Sequence, residues 1–335
     1  MTVAVAGAGN WGKNIVRTLH GVQALHSVAE ASDLLREGLA ATYPDVKLFE
    51  HFDDVLASDC TAVAIATPAP THFALAKSAL VAGKDVFVEK PMTLSSHDAE
   101  ELCRLAEERG RILMVGHLLL YQPAIRAIAE VVRDGGVGDL TSIHQERLNL
   151  GKARSVENVL WSLGVHDVAV AMYLVGMGAT ETIGIGQSVL TAGVEDDYYL
   201  HCTYANGVQS HLHCSWLWPE RSRKMVVVGS KAMLVYDELA QKVMLHEKSI
   251  DADLNNQDGG STLLFEGAGE PLLLEMEHFL HCCSTRETPI SDGRAGLEVV
   301  RARARRASLT RNGGDGSPPS PLLCTLGGYS PYQFA

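Results

Sequence analysis

Two residues of this 335-residue chain have the type and surroundings to move a proton at an alcohol: Lys90 and His166. Lys90 lies in Glu89-Lys90-Pro91, just past the apolar run of residues 85–88, and His166 lies in Gly164-Val165-His166-Asp167. Oxidising a carbinol carbon removes a hydride and the hydroxyl proton together, so a base near neutrality and a donor facing the developing alkoxide both help. Imidazole titrates in that range. A lysine at a strand end, beside an apolar wall, can hydrogen-bond the same oxygen and favour its deprotonated form. The hydride acceptor is signalled at the N-terminus. An apolar run from Val3 meets Gly7-Ala8-Gly9-Asn10-Trp11-Gly12, and then Ile15, Val16 and Leu19 recur at helical spacing. Strand, GxGxxG and helix in that order form the dinucleotide-binding fingerprint. Gly7 permits the tight turn, Gly9 lets the backbone approach a pyrophosphate, and Gly12 lets helix and strand pack closely. The uncompensated N–H groups of the helix start favour phosphate.

The elements that position these groups follow from the pattern. Residues 24–29 read as a second strand ending at Glu30, about 20 residues past the glycine turn, where a carboxylate bonds a ribose 2′-OH and repels a 2′-phosphate. NAD is therefore expected over NADP, with Arg36 as the residue that would reverse this. Residues 33–43, 72–82 and 95–109 read as helices, the last with Ser95 and Asp98 in capping-box spacing and Gly110 at its end. Residues 46–49, 62–66, 85–88 and 112–115 read as strands. Thr67-Pro68-Ala69-Pro70-Thr71-His72 is then a loop at a strand's carboxyl end, since proline leaves a central ladder. This alternation predicts a doubly wound parallel α/β sheet over residues 1–117, with ligands at the carboxyl ends of its strands. Beyond His117 the pattern changes to helices near 124–132 and 160–174 and then successive strands from 180 to 247. An α+β domain with a large, mostly antiparallel sheet is expected over 118–310. Asn206-Gly207 and Gly229-Ser230 are read as hairpin turns.

The spacing of GAGNWG, TPAPTH, EKP, VGH and GVHD resembles the Gfo/Idh/MocA family of nicotinamide-dependent sugar and polyol oxidoreductases, from Thr2 to about Val300. Residues 147–167, RLNLGKARSVENVLWSLGVHD, resemble that family's branch acting on UDP-activated amino sugars, UDP-N-acetylglucosamine 3-dehydrogenases included. The resemblance implies Lys90 and His166 as the catalytic pair, a cis bond before Pro91, oxidation of a C3 hydroxyl to a 3-keto sugar, and a homodimer or homotetramer formed through the second sheet. The family commonly has Asp-x3-His where this chain has Ser162 and His166. Ser162 supplies no charge to raise the pKa of the imidazole, which shifts acid–base work towards Lys90 unless Asp167 compensates from its different helix direction.

Around that pair other residues carry alternatives. Glu89 either orients Lys90 or contacts the nicotinamide ribose. His72 braces the Thr67-Pro68 loop against the cofactor or is ordinary packing, and His117 and Tyr121 either line the site or pack the core. Arg147, Asn149, Lys152 and Arg154 form a basic polar cluster suited to a diphosphate, or else a solvated loop. Asn158 and Trp161 frame the sugar or nicotinamide, with Trp161 as core the alternative. If Asn206-Gly207 centres its hairpin, Cys202 pairs with His211 and His213 shares their face; with no fourth ligand, no metal is expected.

Composition narrows the class. A net charge of −12 argues against nucleic acid or an anionic membrane as partner, and no apolar run is long enough to span a bilayer. The first strand begins at once, without room for a signal peptide, and seven cysteines without CxxC spacing suit a reducing cytoplasm. From about residue 311 the chain turns Pro/Gly/Ser-rich after an arginine-rich stretch, where a disordered tail is expected, a shifted reading frame being one origin. Two rival functions share the fold: a glycosidase using bound NAD transiently, and a non-catalytic NAD-bound regulator.

Overall fold

Six short apolar runs form one parallel sheet: β1 (Val3–Ala6), β2 (Leu25–Ala29), β3 (Lys47–Phe49), β4 (Ala62–Ile65), β5 (Asp85–Glu89) and β6 (Leu113–Gly116). Their order is β3-β2-β1-β4-β5-β6, and every adjacent pair is parallel. β1 and β4 are wholly buried, as expected of strands covered on both faces. The covering helices are α1 (Gly12–Gly21), α2 (Asp33–Thr42), α3 (Phe52–Ala57), α4 (His72–Val81) and α5 (Ser96–Arg109). The Ser95 hydroxyl caps α5 by accepting the Asp98 N–H at 3.1 Å, and Gly110 ends it in the left-handed region. The strand order reverses between β1 and β4, so the turns after β1, β4 and β5 open onto one crevice. The computed structural model describes residues 1–155 and 157–304; the tail expected from residue 311, with the end of the second domain expected through 310, lies outside them.

The second part contains α6 (Pro123–Arg133), α7 (Val165–Val175) and an eight-stranded sheet. Its strands are β7 (Leu140–Leu150), β8 (Ala179–Gln187), β9 (Asp197–Tyr204), β10 (Gln209–Ser215), β11 (Leu217–Gly229), β12 (Met233–Asp237), β13 (Lys242–Ile250) and β14 (Asn256–Glu266). Their order is β14-β13-β12-β11-β7-β10-β9-β8, antiparallel except for β7 with β10. Along β7, Ile143, Gln145 and Arg147 are buried while His144 and Glu146 are exposed, which separates a helix-covered face from an open one.

The chain then returns to the first sheet. α8 (Pro271–Thr285) lays Phe279 on Phe87 of β5, ring centroids 5.8 Å apart. Arg286, just past α8, donates to both carboxyl oxygens of Asp85 at the other end of β5. α9 (Gly293–Ala304) packs along α5, and the Val115 N–H donates to Ser291 at 2.8 Å. The division near residue 117 in sequence is therefore not a division in space.

Two hairpins differ from expectation by one residue. Tyr204 and Val208 close a three-residue loop with Gly207 at φ +85°, so His211 faces His201 and Cys202 faces Ser210. A slip of one residue exchanges faces in a strand, so Cys202 points into the core, away from the histidines. The β11–β12 turn is likewise centred on Ser230-Lys231, with Gly229 bonded to Ala232.

A methyl group on Gly12 would overlap the carbonyl oxygen of Gly7. Gly12→Ala is expected to destabilise the fold by about 1–3 kcal/mol, the usual cost of overpacking, as read by urea unfolding without cofactor. An unchanged midpoint would contradict the close packing of α1 on the turn.

Candidate active site

The glycine turn is built for a phosphate group. Gly7 has φ +86°, and a side chain there would strike Ala66 and Thr67 of the neighbouring strand end. A methyl built on Gly9 would instead meet nothing within 4 Å, leaving the backbone open to a ligand. α1 has no side-chain cap and no acid in its first turn, so no negative charge of its own competes with an anion at its N-terminus. Glu30 stands at the end of β2, where its two carboxyl oxygens accept N–H groups from Ala8 at 2.7 Å and Ser32 at 3.0 Å. Arg36 is tied to the Glu30 carbonyl and to Asp33, which takes away the cation that would welcome a 2′-phosphate. These residues fit NAD: Gly7, Gly9, Asn10, Trp11 and Gly12 would hold the pyrophosphate, and Glu30 the ribose.

The turns after β4 and β5 are locked together. The His72 ring, 1% exposed, contacts the carbonyl oxygens of Thr67 and Pro91, each at 2.8 Å. Burial pushes this imidazole below its ordinary pKa, and the two carbonyls pull it back. Thr67 and Thr71 bond through their hydroxyls at 2.7 Å, and the Lys90–Pro91 bond is cis. His72 thus braces the loop behind Thr67 and Pro68, and its ring is committed to that brace. Glu89 accepts from the Trp11 indole N–H and from the Lys90 backbone N–H, which joins the glycine turn to β5.

Lys90 then crosses to the second part of the molecule. Its ammonium donates to the carbonyl oxygens of Ser162 at 3.2 Å and Trp161 at 3.5 Å. Those carbonyls belong to a π-helical turn, Leu160–Gly164, that precedes α7. Such turns carry an extra residue and are frequent at functional sites. Asn158 sets up the turn by accepting the Trp161 N–H and donating to Glu195. Burial lowers the pKa of Lys90, Glu89 and Glu157 oppose that, and Arg154 adds to it.

Beside Lys90 lie two imidazoles, His117 and His166, with ring centroids 6.3 Å apart and planes at 88°. Neither Nδ1 has a hydrogen-bond partner among the described residues. Burial, then Lys90, lowers His117 to about 3. His166 is also held well below its ordinary range, by burial first and then by Lys90, His117, Arg147 and Arg223. Both rings are uncharged at neutral pH. Among the described residues, the Ser162 hydroxyl is buried without a partner and no carboxylate bonds the His166 Nδ1.

The structure redistributes the other expected site residues. Arg147 is 5% exposed and grips Asp167 through two bonds and Glu238 at 2.9 Å. It is withdrawn from the cluster with Lys152 and Arg154, because inward alternation on β7 turns it under α7. Asp167 is committed to the same network and gives His166 no compensating charge. Tyr121 is likewise a core residue, 3% exposed, its hydroxyl 3.0 Å from that of Ser291. Lys152 and Arg154 are exposed, and Asn149 is half-buried with an unpartnered carbonyl oxygen among the described residues. The pattern did not reveal the π turn, the Trp11–Glu89 bridge or the buried Glu275; for Glu275 a signal existed, an acid within the apolar stripe of α8.

Comparison with known proteins is consistent with this geometry. Residues 1–117 match the model described as an oxidoreductase family with an NAD-binding Rossmann fold, and residues 125–235 match the GFO/IDH/MocA C-terminal domain. A UDP-N-acetylglucosamine 3-dehydrogenase of Acidithiobacillus ferrooxidans is 26% identical over 90% of this chain and 95% of its own. A solved structure of that enzyme superposes with a TM-score of 0.82, covering 91% of this chain and 96% of the other. An inositol 2-dehydrogenase of Rhizobium meliloti is 27% identical over 63% of this chain and 68% of its own.

Removing Arg147 strands the buried Asp167 carboxylate and leaves half-buried Glu238 with Arg223 alone. Arg147→Leu is expected to cost about 3–5 kcal/mol in stability, measured by thermal and urea unfolding. A fully stable variant that is only weaker for a diphosphate ligand would return Arg147 to the substrate site.

Proposed function

The chain belongs to the Gfo/Idh/MocA oxidoreductase family, and we propose that it oxidises the C3 hydroxyl of a UDP-activated amino sugar, UDP-N-acetylglucosamine first among candidates. The observation that carries this reading is Lys90, held at the end of β5 and reaching the π turn beside His117 and His166. End-to-end similarity to a UDP-N-acetylglucosamine 3-dehydrogenase supports the substrate class, and exposed Lys152 and Arg154 are suited to the diphosphate.

When bound, NAD supplies the hydride acceptor. Lys90 and His166 handle the proton. With Lys90 unprotonated, the form that burial favours, its amine takes the hydroxyl proton as the C3 hydride departs and the carbon–oxygen double bond forms. A base works best with a pKa near the operating pH, and burial moves Lys90 in that direction. His166, uncharged and ringed by cations, is a poor base and serves as a neutral hydrogen-bonding partner to the same oxygen. Glu89 balances the ammonium left on Lys90. This division of labour fits Ser162, which offers His166 no negative charge. In this reading His117, Asn149, Asn158 and Trp161 would help to orient the sugar. A homo-oligomer through the open face of the second sheet and a cytoplasmic setting belong to the same reading.

Incubating the protein with NAD and a panel of UDP-sugars, inositol and free polyols, and following NADH, tests the substrate. NADH formation with UDP-N-acetylglucosamine is expected; activity with inositol or free polyols alone overturns the nucleotide-sugar assignment. Bond changes without net NADH would instead favour the glycosidase. Lys90→Met is expected to lower kcat by about 10²–10⁴-fold with NAD affinity little changed, measured by steady-state kinetics and calorimetry. A variant at full rate removes Lys90 from the chemistry.

A further inference from the structure

Glu275 on α8 has no exposed surface, and neither of its carboxyl oxygens has a hydrogen-bond partner among the described residues. Leaving a carboxyl in that condition is costly, so its presence calls for a physical reason. Two contacts join α8 and its end to β5. Arg286, past the end of α8, binds Asp85 at the start of β5, and Phe279 then packs on Phe87. Phe87 and Glu89 lie two apart on one face of the strand, and a methyl built on Gly116 would stand 3.0 Å from each of them. Glu275 and Phe279 lie four apart on one face of the helix. The next rung therefore sets Glu275 towards Glu89.

Burial, with the Glu89 carboxyl next, pushes the Glu275 acid well above its ordinary range. Burial raises Glu89 to about 7, against the pull of the Trp11 indole and of Lys90. Tyr121 faces Glu275 from the other side and stays protonated, because burial and then Glu275 raise its pKa. Two carboxyls in one buried site do not both ionise. The proton rests on Glu275 and the charge on Glu89, which has the N–H donors.

We propose that Glu275 is a positioning residue of the hydride-transfer site: as the uncharged acid behind Glu89, it sets a neutral polar group, in place of a second charge, beside the carboxylate that anchors Trp11 and Lys90. The proposal rests on the placement of Glu89 and Lys90 in the active site and does not depend on which sugar is oxidised.

Tryptophan fluorescence of the full chain without cofactor, titrated through neutral pH, reads the Trp11–Glu89 contact, and a Trp11→Phe control identifies the Trp11 signal. In the wild type Glu89 ionises near pH 7, so the contact strengthens as pH rises through that value. Glu275→Leu replaces that polar group with hydrocarbon and makes the Glu89 anion harder to form. Its midpoint is expected to rise by about one pH unit, a tenfold change in the ionisation equilibrium, with weaker NAD binding at pH 7 by calorimetry. Glu275→Gln, which stays neutral and polar, is expected to keep the wild-type midpoint. A midpoint unmoved by Leu, or moved equally by Gln and Leu, overturns the proposal, because a packing role alone would change stability without moving the titration. A shift as expected in a protein inactive with every UDP-sugar would sustain this inference and sink the substrate assignment.

Discussion

The contact between the Lys90 ammonium and the carbonyl oxygens of Trp161 and Ser162 is the constraint on which the rest of the site depends. It bridges a strand end of the parallel sheet and a π turn of the second part, at the place where a cofactor held by the glycine turn would meet a substrate. Burial opposes the charge on Lys90, and Glu89 supports it. Glu89 is fixed in turn by the Trp11 indole and by the Lys90 backbone. One acid thus ties the glycine turn and Lys90 into a single arrangement. The parallel register of β1, β4 and β5 makes this possible, because it delivers three turns to the same edge.

The two imidazoles acquire their meaning from that arrangement. Without a carboxylate partner, and with Lys90, Arg147 and Arg223 around it, His166 remains neutral. Asp167, which might have served it, is used up by Arg147 in a buried network with Glu238. A buried ion network of this kind is weak evidence for extra stability, but it is expensive to break by halves. Its effect here is to fix α7, and with it His166, against the second sheet.

Local pattern made the first sheet legible, since each strand is a short apolar run and each turn carries its own glycine, proline or cap. The glycine turn, Glu30, Lys90 and His166 stand out in the sequence because the chemistry proposed for them depends on residue type at fixed spacing. What lay hidden depends on long-range packing. Arg147 reads as a surface cation until the alternation of β7 turns it inward, and Tyr121 reads as a possible site residue until Ser291, far away in sequence, meets its hydroxyl. The hairpin register slipped because a three-residue loop with left-handed Gly207 and a two-residue turn contain the same Asn-Gly signal. The π turn left no mark, since Leu160–Gly164 is a single turn, too short for its shift in apolar spacing to stand out from the sequence.

The central claim is that hydride leaves C3 of an amino sugar while Lys90 receives the hydroxyl proton. Its most direct test is the fate of a label: UDP-N-acetylglucosamine carrying deuterium at C3, incubated with NAD and analysed by mass spectrometry. The account predicts that the deuterium appears in the reduced cofactor and is lost from the sugar. Reduced cofactor without the label, formed while the deuterium stays at C3, would contradict it.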